Sequence, residues 1–184
     1  MMESKFLHLK TYLGIAMVCT LMACSNAEKK DGVGADSTAK VADTTNTVPV
    51  KLSDPVVEKI YNTYIALKND LVATNYDAAK SSADALMASL KEKQGCESTA
   101  LLAGKISSAK DIAAQRKEFT QLSNEVIAMF KHSDLTSGVI YVQHCPMANN
   151  GDGGDWLSSN ENIQNPYYGD EMMECGAVVE QIKK

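Results

Sequence analysis

SDPVVEKIYNTYIALKNDL, residues 53–71, is the stretch that decides the fold. Within it Val57, Ile60, Tyr64, Leu67 and Leu71 recur at intervals of three, four, three and four. Such spacing lays one apolar stripe along a helix of about five turns. Ser53 or Asp54 is placed to cap it, and Pro55 falls in the first turn, where its missing N–H has no intrahelical partner to lose. Working outward, Asn75 caps a second helix in which Tyr76, Ala79, Ala83, Leu86 and Leu90 repeat the intervals before Gln94-Gly95 ends it. Its stripe is alanine-rich, so a neighbouring helix can approach closely.

Residues 99–131 keep the helical spacing through Leu102, Ile106, Ala109 and Ala113 and again through Phe119, Leu122, Val126 and Met129. As one helix rising 1.5 Å per residue the segment would be nearly twice as long as its partners. A break within residues 107–111, with Ser108 or Asp111 as the new cap, restores matched lengths. The expectation is a mainly α fold, an antiparallel bundle of four helices, or of three with one long. After Asp134 the character changes. Residues 139–144 are β-branched and aromatic and too short for a helix, and residues 177–182 are a second strand candidate. Together they predict a short C-terminal two-stranded β ribbon packed on the bundle. The long loop between them carries turn chemistry at Gly151-Asp152-Gly153-Gly154-Asp155 and at residues 165–170, with Trp156, Tyr167 and Tyr168 expected to pin it to the bundle.

Ahead of the bundle, Lys5 and Lys10 precede an apolar run from Tyr12 to Met22 that is too short to span a bilayer and reads as a signal h-region. It closes in Leu21-Met22-Ala23-Cys24, which looks like a lipobox. Residues 1–23 are thus expected to be a lipoprotein signal peptide, and Cys24 the lipidation site, carrying palmitate-type acyl chains. Residues 24–51 read as the lipidated N-terminus and a flexible linker, and residues 52–184 as one folded domain. No later stretch is apolar enough to cross a membrane, so lipid alone would hold the chain there. Ser25, a residue other than Asp after the cysteine, favours the outer membrane facing the periplasm.

The formal net charge is −5. Residues 24–133 balance 14 acidic against 14 basic side chains, whereas residues 134–184 carry eight acidic and two basic ones. A surface so poor in Lys and Arg excludes nucleic acid as a partner. Of five cysteines, Cys19 would leave with the signal and Cys24 would carry lipid, so Cys96, Cys145 and Cys175 remain. An odd count in an oxidising compartment leaves at least one thiol outside any intramolecular disulfide.

The densest cluster of soft ligands is His144-Cys145-Pro146-Met147, followed by Met172-Met173-Glu174-Cys175. Thiolate and thioether sulfur select Cu(I) among biological metals. In an extended segment Cys145 and Met147 share a face, whereas His144 faces the other way and ranks below the sulfurs. Met172 and Cys175 share a face if their segment makes one helical turn. Pairing of the two strands would bring all four sulfurs to one end of the ribbon. The alternative is a Cys145–Cys175 disulfide closing the loop, worth about 3 kcal/mol by loop entropy. His132 sits at a helix end and reads as a cap rather than a ligand. The loop from Asp152 to Asp155 lacks the carboxylate pattern of a calcium hand. There is no phosphate loop, no His-Glu-x-x-His pattern and no elbow serine, and the adjacent His144 and Cys145 do not make a nucleophile–base pair, so no enzyme is expected.

The tail Tyr141-Val142-Gln143-His144-Cys145-Pro146-Met147-Ala148, then Trp156-Leu157-Ser158, Asn165-Pro166-Tyr167-Tyr168-Gly169, Met172 and Cys175-Gly176, resembles the domain-of-unknown-function family DUF3347. Tyr64-Ile65-Ala66-Leu67-Lys68-Asn69-Asp70-Leu71-Val72 and Gln115-Arg116-Lys117-Glu118-Phe119 fit it as well, so the resemblance covers about residues 52–184. Members occur as lipoproteins and on periplasmic adaptor subunits of copper and silver efflux pumps. The resemblance implies a periplasmic heavy-metal-handling domain with Cys145, Met147, Met172 and Cys175 as soft ligands and heavy-metal efflux components as partners. Cys96 is not part of that pattern.

Overall fold

The computed structural model describes residues 48–184. The expectations for the signal segment, for Cys24 and for nearly all of the linker fall on residues 1–47, outside the described residues. Four helices follow a short first strand β1 (Lys51–Leu52): α1 (Pro55–Val72), α2 (Tyr76–Lys91), α3 (Glu97–Ser107) and α4 (Ile112–Phe130). Each start is fixed locally. The Asp54 carboxylate accepts the Val56 and Val57 N–H groups at 2.8 and 3.4 Å, and Asn75 accepts the Ala78 N–H at 3.1 Å. Asp111 accepts the Ala114 N–H at 2.7 Å, so the break between α3 and α4 is real and the bundle has four helices rather than three. Among the described residues no helix is long and apolar enough to cross a membrane.

Most of the stripe residues read from the sequence face inward, whereas Ala109 falls in the break between α3 and α4 and Ala113 is exposed. Ile60, Tyr64, Leu67 and Leu71 of α1, Ala79, Ala83, Leu86 and Leu90 of α2, Ala103 and Ile106 of α3, and Phe119, Leu122, Val126 and Phe130 of α4 are fully buried. Consecutive helices pack on one another, as short connections demand. Aromatic pairs join α1 to α4: Tyr64 stacks on Phe119 and Tyr61 tilts against Phe130, both with ring centroids 5.6 Å apart. Inside the same contact the Tyr64 hydroxyl lies 2.6 Å from Ser123 Oγ.

The C-terminal part differs from the expected two-stranded ribbon. Besides β2 (Leu135–Ser137), which pairs with β1, there are β3 (Ile140–Cys145), β4 (Gly154–Ser158) and β5 (Ala177–Ile182), forming a three-stranded antiparallel sheet in the order β4-β3-β5. The additional strand is β4, which lies in the segment read as loop. Its five residues follow directly on the Gly-rich turn, and too few remain for an alternating pattern to stand out. Once paired they are nonetheless buried, with Trp156 opposite Gln143 and Leu157 opposite Val142. β4 packs against α4, and its Leu157 N–H, free of β3, donates to the Tyr64 hydroxyl at 3.2 Å. The edge of the sheet is thereby tied to the first helix.

Candidate functional site

Strand order brings the two cysteines together. β3 pairs with β5 so that His144 lies opposite Ala177, and Cys145, next after His144, and Cys175, two residues before Ala177, fall at the same end of the sheet. Cys145 and Cys175 are free thiols with their sulfurs 2.8 Å apart. Cys145 is fully buried and Cys175 is partly exposed.

Three side chains that were not candidate ligands order the segments around the pair, and one of them, Asn165, bonds to Cys175 itself. Asn165, fully buried, donates from Nδ2 to the Cys175 carbonyl at 3.1 Å, and its Oδ1 accepts the Tyr167 N–H at 2.8 Å. Arg116 of α4 donates to the Pro166 carbonyl at 2.9 Å and to the Leu71 carbonyl at 3.0 Å, fastening the loop to the C-terminal end of α1. Gln143, buried in β3, donates to the Asn160 carbonyl at 2.8 Å and accepts the Trp156 indole N–H at 2.7 Å. Gly176 follows Cys175 with φ +144°, and a Cβ there would stand 2.7 Å from the His144 carbonyl oxygen. Only glycine lets the chain pass so near β3. The signal for Gln143 was present, a long amide directly after the apolar run Ile140-Tyr141-Val142. Asn165 and Arg116 stand in the stretches that resemble the family, but nothing local foretold their bonds, which go to carbonyls 10 and 50 residues away.

The other proposed ligands are distributed differently. The strand ends at Cys145, as Pro146 requires, and Met147 already has φ −89° and ψ −11°, so the alternation expected to set it beside Cys145 no longer applies. The residue is 53% exposed, and its carbonyl accepts the Tyr168 hydroxyl at 2.6 Å. Met172 is not in the expected helical turn. It has φ −148°, just past a one-turn helix at Gly169–Glu171, and its carbonyl accepts the Cys175 N–H at 3.1 Å in a tight turn. The Cys145 thiol beside it, together with burial, raises Cys175 above the ordinary thiol range, and the Met147 N–H acts in the opposite sense.

His144 stands apart from the sulfurs. Its Nδ1 lies 2.7 Å from Asp155 Oδ1 across the β3–β4 pair. Both line an open cleft of about 390 Å³ with Lys117, Thr120, Asn124 and Asn149. Asn149 has φ 54°, a left-handed conformation, and is held there by Thr120 at 3.1 Å and by its own amide on the Gly153 carbonyl at 2.8 Å. His132 is exposed just past α4, where its backbone N–H bonds to the Met129 carbonyl. Tyr167 does pin the loop to the bundle, with its ring 5.8 Å from Phe119 and 6.1 Å from Trp156. Cys96 is the residue before α3, far from both other thiols in sequence, and burial pushes its thiol up.

Two thiols this close have two chemistries open to them. A cation bridging them at about 2.3 Å from each sulfur would require the sulfurs to part, and a disulfide of about 2.05 Å would require them to close. Among the described residues no group of three or more His, Cys, Asp and Glu side chains is arranged to hold a metal ion.

No curated protein and no solved structure matches the chain. Residues 60–138, from within α1 to the turn before β3, match the model of the family described as "Protein of unknown function (DUF3347)".

Proposed function

We propose that the chain is a lipoprotein of the cell envelope, anchored through acylated Cys24 in the outer membrane and facing the periplasm. Its folded domain takes a soft cation, Cu(I), on Cys145 and Cys175, with the Met147 and Met172 thioethers completing the set. It buffers the ion or passes it to heavy-metal efflux components and catalyses nothing. The single observation that carries this reading is the convergence of two free thiols at one end of the sheet, with methionines on both segments that deliver them. Thiolate and thioether donors are the combination that selects Cu(I). His144 is left out of the ligand set, since Asp155 holds its ring.

A second reading has its own support. The separation of 2.8 Å is nearer to a bond than to a metal bridge, which favours a structural Cys145–Cys175 disulfide in a non-catalytic interaction module. Anaerobic titration of the reduced full chain with Cu(I) against a competing chelator separates the two. One ion bound per chain, lost in Cys145→Ser and weakened about tenfold in Met172→Ala, supports the metal site. No competition from protein with both thiols free overturns it and leaves the interaction module. The anchor is read separately: labelled palmitate enters the wild-type chain and not Cys24→Ala, and equal labelling of the two overturns the assignment.

A further inference from the structure

The two thiols are not equivalent. Cys145 ends the central strand, with β4 on one side and β5 on the other, and no part of it is exposed. Cys175 lies in the tight turn before β5, partly open to solvent. Its backbone is held on both sides, by Asn165 on its carbonyl and by Gly176 against the His144 carbonyl. Access to solvent lets an external disulfide reach the Cys175 sulfur and not the enclosed Cys145 sulfur. Cys96 is the internal reference: a buried thiol before a helix, with neither of the other two near it in sequence.

We infer that Cys175 is the entry point for low-molecular-weight disulfides of the glutathione type, and that Cys145 is the thiol that resolves the mixed disulfide formed there. The Cys175 thiolate attacks one sulfur of R–S–S–R, making Cys175–S–S–R and releasing one R–S⁻. The Cys145 thiolate, 2.8 Å away before the exchange, then attacks the Cys175 sulfur, making the Cys145–Cys175 disulfide and releasing the second R–S⁻. The protein gives up two electrons and two protons, and the small disulfide is reduced to two thiols. Oxidation in this order removes both thiolates from the proposed soft site, and the reverse exchange with excess R–SH restores them. The inference stands on the geometry of the pair and does not need a metal to bind.

The reduced full-length chain, in a Cys96→Ala background, is exposed to glutathione disulfide, quenched by acid and mapped by mass spectrometry. The parent chain goes to the internal disulfide with only transient adduct. Cys145→Ser accumulates one stable glutathione on Cys175, and Cys175→Ser acquires an adduct on Cys145 at least about tenfold more slowly. Equal rates in the two single-thiol variants, or no adduct on Cys175 in Cys145→Ser of native circular dichroism, overturns the assignment. Cu(I) titration of the same reduced chain is read independently. The predicted adduct order without Cu(I) binding overturns the metal reading alone, and Cu(I) binding without that order overturns this inference alone.

Discussion

The helical bundle and the C-terminal sheet with its loop are held together by different means. In the bundle, contact is made by apolar stripes and by the Tyr64–Phe119 and Tyr61–Phe130 ring pairs, and polar groups serve mostly as caps. In the C-terminal part, single polar side chains reach across tens of residues to backbone carbonyls, as Gln143, Asn165 and Arg116 do. Burial by stripe is redundant, because each residue repeats what its neighbours do. A network of individual bonds is not, because each lost partner strands a buried acceptor. The bundle therefore tolerates change by degrees, and the site end of the molecule tolerates it by specific residues.

The contrast can be broken most forcefully at Phe119, which belongs to both regions through Tyr64 and Tyr167. Phe119→Ala is expected to lower unfolding free energy by about 3–5 kcal/mol in denaturant titration, with helix and sheet signals lost together. Next in size, Gln143→Ala leaves the buried Trp156 indole N–H without its acceptor and removes the donor to the Asn160 carbonyl, and should cost about 2–3 kcal/mol. Hydrogen exchange should place its loss in residues 158–176, with the α1–α3 amides unchanged; uniform loss would show that the two parts are not separable. Asn75→Ala removes one cap from α2 and should cost about 1 kcal/mol, spread over the bundle.

The smallest effect concerns pH. Lys93, bonded to Asp54 at 2.9 Å, and the Val56 and Val57 N–H groups hold the Asp54 carboxyl below its ordinary value. A depressed carboxyl contributes fully above the unfolded value, near 3.8, and loses its contribution as pH falls through the lower folded value. The stability difference between the wild type and Asp54→Asn should accordingly be constant at neutral pH and shrink toward zero in acid. A difference independent of pH down to acid would assign the cap to geometry alone.

The same division explains what could be read from the sequence. The stripes of α1, α2 and α4, the caps at Asp54, Asn75 and Asp111, and the break before α4 follow from periodicities of three and four, which are local. The strands at β3 and β5 were visible as β-branched runs, and their pairing places Cys145 near Cys175. β4 was not visible, since a strand of five residues after a Gly-rich turn acquires its identity only from its partner. Nor was the capture of His144 by Asp155, because it depends on the hairpin that β4 makes; the end of the strand before Met147, by contrast, follows from Pro146. The family match likewise takes in the helices and β2 and stops before β3, although the tail carries the more distinctive residues.

Both neighbours of β3 follow it in the sequence, and this sets an order of events as the chain acquires its structure. The β3–β4 hairpin can close within microseconds of its turn forming. β5 arrives only after the chain from Cys145 to Ala177 has been gathered, at a greater entropic cost. Until then β3 is an edge strand, and Cys145 is reachable from the side that β5 will cover. A chain that lacks residues 177–182 thus leaves one edge of β3, up to His144 beside Cys145, without its partner strand.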